Sequence, residues 1–145
     1  MKTFAMLAAA VVMSSGMSAR AQEASVTRAF EHYEGIRGAL AADDLKSVAP
    51  HAVLLTPLAE SIGGPAAKKA LEGVRAATDI KQARDHFGAL SAALIPAFEK
   101  AAIENVHFYR CSMVNQSWAQ RGKPVQNPYM GKAMSTCGSP LKPVK

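Results

Sequence analysis

The chain has 145 residues, with seventeen Lys and Arg against eleven Asp and Glu and a formal charge of +6. That length holds one domain rather than two. The basic residues are scattered and never form a run interleaved with aromatics, which argues against a nucleic-acid interface and reads instead as solvated surface.

Met1-Lys2 is a short positive start, and Phe4 to Met13 is apolar but too short to span a bilayer. Ala19-Arg20-Ala21 fits the small-x-small rule for signal peptidase. These features predict a secretory signal over residues 1–21, cleaved after Ala21. The chain would then start at Gln22 with no further apolar run of membrane length. Losing Lys2 and Arg20 lowers the charge from +6 to +4. The expectation is an exported, periplasmic protein with no transmembrane segment after cleavage.

Residues 22–104 read as a helical bundle. Val26, Ala29/Phe30, Tyr33, Ile36 and Leu40 repeat at 3–4 spacing and predict a first helix opening at Ser25. Gly35 and Gly38 weaken it but admit a close neighbour. Asp43-Asp44 ends it and caps a second helix, whose stripe is Leu45, Val48, Ala52, Leu55, Ala59 and Ile62. Pro50 and Pro57 predict a break or kink there. Gly63-Gly64-Pro65 is a stop and restart before a short third helix, Ala66 to Ala77. Asp79 caps a fourth, with Ile80, Ala83, Phe87, Leu90, Leu94 and Phe98 inward and Pro96 kinking its last turns. The predicted fold is all-α, an antiparallel four-helix bundle.

Residues 105–140 change character. Val106 to Arg110 is β-prone, and Gly122, Pro124, Asn127-Pro128, Gly131 and Gly138-Ser-Pro140 are turn signals. An irregular segment with at most a short β-hairpin is expected to pack on the bundle through Phe108, Trp118 and Tyr129. Residues 141–145 form a tail.

This segment holds both cysteines in two short soft-donor pairs, Cys111-x-Met113 and Met134-x-x-Cys137. Thiolate and thioether select Cu(I) or similar soft ions. Residues at i, i+3 share a face on a helical turn, which suits Met134 and Cys137. An i, i+2 pair on a strand points to opposite faces, so Cys111 and Met113 converge only where the strand ends. The competing reading of the same residues is one disulfide with ordinary core methionines. Such a bridge closes a loop of about 27 residues and contributes roughly 3–4 kcal/mol. His86, His107 and Met130 are candidate additional donors. Trp118 and Tyr129 read as packing anchors, Asn127, Pro128 and Gly131 as the turn that carries Met134 and Cys137 inward, and Gly138 as a cap. No serine, histidine and acid arrangement suggests an enzyme.

The run Cys111-Ser-Met113, Trp118, Asn127-Pro128-Tyr129-Met130-Gly131, Met134 and Cys137-Gly138 resembles the DUF3347 domain pattern, Cys-Pro-Met … Asn-Pro-Tyr-Tyr-Gly-x-x-Met-x-x-Cys-Gly. That domain occurs in small exported proteins and at the C-terminus of CusB-type heavy-metal efflux adaptors. Asp79-Ile80, Arg84, Phe87 and Leu90-Ser91 resemble its preceding helix. Ser112 departs from the pattern's proline and Met130 from its aromatic residue. The resemblance implies a helical scaffold bearing a metal-linked Cys/Met motif. The function expected is binding, buffering or transfer of Cu(I), less favourably Zn, Ag or Hg. A heavy-metal efflux complex or a periplasmic metallochaperone would be the partner. The alternative is a structural or interaction module closed by a Cys111–Cys137 disulfide and serving a membrane efflux or assembly partner without metal.

Overall fold

The computed structural model describes residues 14–141. Residues 1–13, which carry most of the expected signal segment, and residues 142–145 of the tail lie outside them.

Helix α1 spans Ser14–Ala41, so it begins well before Ser25, and the expected cleavage point at Ala21 lies in its exposed first turns. Its stripe is buried as the spacing requires: Ala29, Phe30, Tyr33, Ile36 and Leu40 are fully enclosed. Asp43 turns the chain with a left-handed φ of 58°. Asp44 then accepts hydrogen bonds from the amide (3.2 Å) and hydroxyl (2.6 Å) of Ser47, the residue before α2.

Helix α2 spans Val48–Ala76 and includes both of the predicted middle helices. Only Gly64 is non-helical within it, at φ 70° and ψ −168°. That single residue reverses the chain. In a straight helix Thr56 and Glu72 would lie about 24 Å apart, yet here they line one cleft with Leu71. Lys68 correspondingly reaches Glu60 at 3.0 Å. Pro50 sits in the first turn, where its missing amide has no intrahelical partner anyway. Pro57 is accommodated with helical torsions. The carbonyl it deprives, that of Val53, belongs to an exposed residue that water can serve.

Helix α3 spans Ile80–Ala101. Asp79 caps it by accepting from the Gln82 amide at 2.9 Å, and Ala102 ends it in the left-handed region with its amide on Glu99 O. α3 runs antiparallel to α1. Phe30 meets Phe98 edge-on (5.2 Å between centroids), Tyr33 stacks on Phe87 (5.0 Å), and Arg84 reaches Leu40 O.

Strands β1 (Val106–Cys111), β2 (Gln116–Arg121) and β3 (Ser139–Pro140) form an antiparallel sheet in the order β2-β1-β3. Residue Tyr109 lies opposite Trp118 on one side and Pro140 on the other. The sheet meets the helices through β2. The Ala119 amide donates to Tyr33 Oη (3.1 Å), and the Arg121 guanidinium lies 5.3 Å above the Phe30 ring.

The all-α four-helix expectation is therefore corrected. The described chain has three α-helices, besides a short 3-10 turn at Gly131–Met134, because the second and third predicted helices are one element interrupted by a single glycine. The segment expected to be irregular is organised around a three-stranded antiparallel sheet. The β2 sequence Gln-Ser-Trp-Ala-Gln-Arg has little intrinsic strand preference, and pairing and burial override it. No helix among the described residues is long and apolar enough to cross a membrane.

Two histidines lock helix seams by lying on glycines. The His51 ring rests on Gly35 of α1, and the His86 ring on Gly73 of α2; a Cβ at either glycine would collide with the imidazole. His51 Nδ1 is buried without a hydrogen-bond partner. His32 lies close enough to feel it. Partial burial, then the neighbouring His51 and Arg28, lower the His32 pKa below its ordinary 6.5, with Glu31 opposing. The folded chain thus binds the His32 proton less readily than the unfolded chain. Its contribution is complete above about pH 6.5, the unfolded value, and is lost as the pH falls below that through the lower folded-state pKa. Urea midpoints measured from pH 7.5 to 5 should fall, and His32→Gln should flatten that slope; an unchanged slope would show that His32 carries none of it.

Candidate functional site at the end of the sheet

Cys111 is the last residue of β1 and is fully buried. Alternation along the strand puts it on the same face as Tyr109, whose ring lies 5.5 Å from that of Trp118. The opposite wall over this face is the chain from Gly122 to Gly138. Trp118, fully buried, packs edge-on against Tyr129 (6.0 Å), and Gly138 is held so close to its six-membered ring that a Cβ would clash. The indole Nε1 donates to Gln120 Oε1 at 3.1 Å. Gln120 is itself buried and completely used. Its amide donates to Gly122 O and Pro124 O and accepts from the Gln126 amide.

Asn127 fixes the next stretch. It is fully buried, donates to Cys137 O (2.7 Å) and accepts from the amides of Tyr129 (2.8 Å) and Met130 (3.1 Å). Its own amide donates to Ser135 O at 2.7 Å. A single side chain thus holds both limbs of the turn that carries Met134 and Cys137. Pro128 follows, buried, and its carbonyl accepts from Arg84 Nε at 2.7 Å. Tyr129 Oη donates to Ser117 O (2.6 Å) and faces Ser91, which also meets Tyr33 Oη at 2.8 Å. Burial raises both phenols far above their ordinary range, so they stay protonated donors.

Gly131 has φ 58°, and a Cβ there would strike Asp43 Oδ1 and Arg84 Nη2. The glycine lets the turn dock on the corner between α1 and α2. There Asp43 pairs with Arg84 and accepts from the Lys132 amide at 3.1 Å. These contacts, the Arg84 guanidinium first and the Lys132 amide second, hold the Asp43 carboxyl below the usual carboxylate range. Arg37 makes a second anchor. It is almost wholly buried, paired with Glu34, and donates to Gln126 O at 2.9 Å.

The structure brings the two cysteines to one end of the sheet. Arg110 lies opposite Ser139, so Cys111 is one residue, and Cys137 two residues, from that paired position. Both are free thiols, Cys137 half-buried. The Cys137 amide donates to Met134 O at 3.1 Å, closing the i, i+3 turn. Met113 lies just past the strand end and is 64% exposed, and Met134 is 41% exposed. Met130 is half-buried and packs against the core. His86 is engaged on Gly73 in the α2–α3 seam, and His107 lines a separate cleft at the other end of β1. No group of three or more His, Cys, Asp or Glu side chains that could hold a metal occurs among the described residues. Any ion held here would depend on the two thiols and the thioethers.

Sequence reasoning missed Arg37, Gln120 and Tyr33 as supports of this segment. Arg37 left one signal, Glu34 three residues earlier on the same helix face. Gln120 left none, because a buried amide looks like any exposed glutamine until its partners are known. Comparison of the chain with known protein families, with characterised proteins and with solved structures finds no match.

Proposed function

We propose that this chain binds a soft metal ion, Cu(I) foremost, as cargo for buffering or transfer in an exported compartment. Cys111 and Cys137 would be the thiolate ligands. The observation that carries the reading is the placement of two free thiols, 26 positions apart in sequence, at one end of a short sheet. Cys111 supplies a dry position beneath aromatic rings and Cys137 a half-open one, a pairing that shields a bound ion yet leaves it a way out. Met134, in the turn with Cys137, and Met113, at the strand end, are solvent-facing thioethers suited to first capture. The resemblance in the Cys/Met motif supports the same reading, as does its extension to an efflux complex or a metallochaperone as partner.

The test uses the chain from Gln22, fully reduced, with its thiols counted and Cu(I) titrated against a competing chelator. One ion should bind per chain. Cys111→Ser and Cys137→Ser should each weaken binding by at least about a hundredfold, the upper end of what loss of an outer-shell partner costs. Met113→Leu and Met134→Leu should weaken it by about tenfold. Absence of binding after complete reduction would overturn the proposal and leave the disulfide-closed interaction module as the reading of these cysteines.

A further inference from the structure

A cleft of about 470 Å³ lies at the other end of β1, away from the cysteines. Its apolar surface comes from Val106, Phe108, Tyr109, Pro140 and Leu141, with His107 beside them. Cleft volumes of this order take small organic molecules rather than ions. Among the described residues β3 is only two residues long and pairs with Tyr109 and Arg110, not with the start of β1.

Among the described residues its lining carries two full charges, of opposite sign. Glu99 enters from the last turn of α3, and Lys123 from the loop after β2. Among the described residues neither side chain has an ion-pair or hydrogen-bond partner, although both line the same cleft and lie beyond 4 Å from one another. Lys123 is also mounted firmly. The carbonyls on either side of it, Gly122 O and Pro124 O, are both held by the buried Gln120 amide, at 3.2 and 2.7 Å. These bonds fix the backbone at Lys123, from which its exposed side chain extends. Two exposed charges of opposite sign, each without a partner among the described residues and lining one cleft with apolar groups, suit a ligand that carries both charges.

We infer that this cleft binds a small zwitterion of amino-acid type with an aromatic or branched apolar side chain. The ligand carboxylate meets Lys123, its ammonium meets Glu99, and its side chain lies against the apolar lining of the cleft. An anion alone would leave Glu99 facing a like charge, and a cation alone would leave Lys123 so. Trp118, the chain's single tryptophan, stacks behind Tyr109 and reports occupancy by its emission.

The experiment titrates the reduced chain from Gln22 with L-phenylalanine and L-leucine, by calorimetry and Trp118 emission, alongside 3-phenylpropionate and phenethylamine. Expected are saturable binding of the amino acids and at least about tenfold weaker binding of the two singly charged analogues, the cost of a charge-assisted contact. Glu99→Gln and Lys123→Met, both on the surface and expected to fold, should each weaken L-phenylalanine binding by a similar factor. Cys111→Ser should leave it unchanged, so this result stands or falls apart from metal binding. No binding of either amino acid up to about 10 mM, well beyond the range of a specific site, would overturn the inference. So would binding that ignores both charge variants or that favours the singly charged analogues.

Discussion

Asn127→Ala is expected to lower the stability of the chain by about 3–5 kcal/mol. The side chain is fully buried and makes three hydrogen bonds, to Cys137 O and from the amides of Tyr129 and Met130. Truncation leaves a carbonyl and two amides without partners in a place water reaches poorly, at about 1–3 kcal/mol for each group left unsatisfied. Some relaxation of the turn sets the total below the simple sum. Urea denaturation of wild type and variant measures it directly. Asn127→Asp keeps the acceptor for both amides but sets a buried carboxylate oxygen against Cys137 O, so it should cost at least as much at neutral pH and less where the carboxyl is protonated and can donate to that carbonyl. A loss below about 1 kcal/mol for the alanine variant, the value of one exposed hydrogen bond, would mean that the turn holds itself without this side chain. The same variant should weaken Cu(I) binding, because Cys137 loses the contact that fixes its backbone.

Gly131→Ala is expected to cost about 2–4 kcal/mol, from two causes. A residue with a Cβ is strained in the left-handed region by about 1–2 kcal/mol. The added carbon also displaces the Asp43–Arg84 pair on which the turn docks. A double-mutant cycle with Asp43→Ala separates the two. With Asp43 truncated its part of the collision is gone and Arg84, released from that pair, can give way more easily, so the two losses should not add. Strict additivity would show that the glycine is needed for its torsion alone.

The helices were largely legible because their cores follow one period. From Ala83 to Phe98 every predicted inward position of α3 is buried, and Asp79 caps it as an N-terminal aspartate should. The Gly63-Gly64-Pro65 signal was correctly located, but its consequence for element count was not. One glycine in an extended, left-handed conformation reverses the chain without a loop, so no stretch of turn residues separates the halves. The sheet was harder to read. Val106 to Arg110 has strand-forming residues, whereas β2 owes its shape to what it pairs with. The candidate site was readable as residue types, Cys111, Met113, Met134 and Cys137. The turn at Asn127, Pro128 and Gly131 was also named, but Arg37, Gln120 and Arg84 were not read as its supports, because they act on backbone carbonyls, two of the three across long stretches of sequence, and a carbonyl carries no residue-specific mark.

Arg37 holds Gln126 O, Arg84 holds Pro128 O, Asn127 holds Cys137 O, and Gln120 holds Gly122 O and Pro124 O. Every one of these grips is on a group that all twenty amino acids share. None of these grips uses the side chains of Met134 or Cys137. Met134 and Cys137 could be exchanged for other donors, such as imidazole for a harder ion, while the framework that presents them stays in register. In that sense the segment is an interchangeable cassette, in which ion preference can drift by single substitutions at fixed backbone geometry.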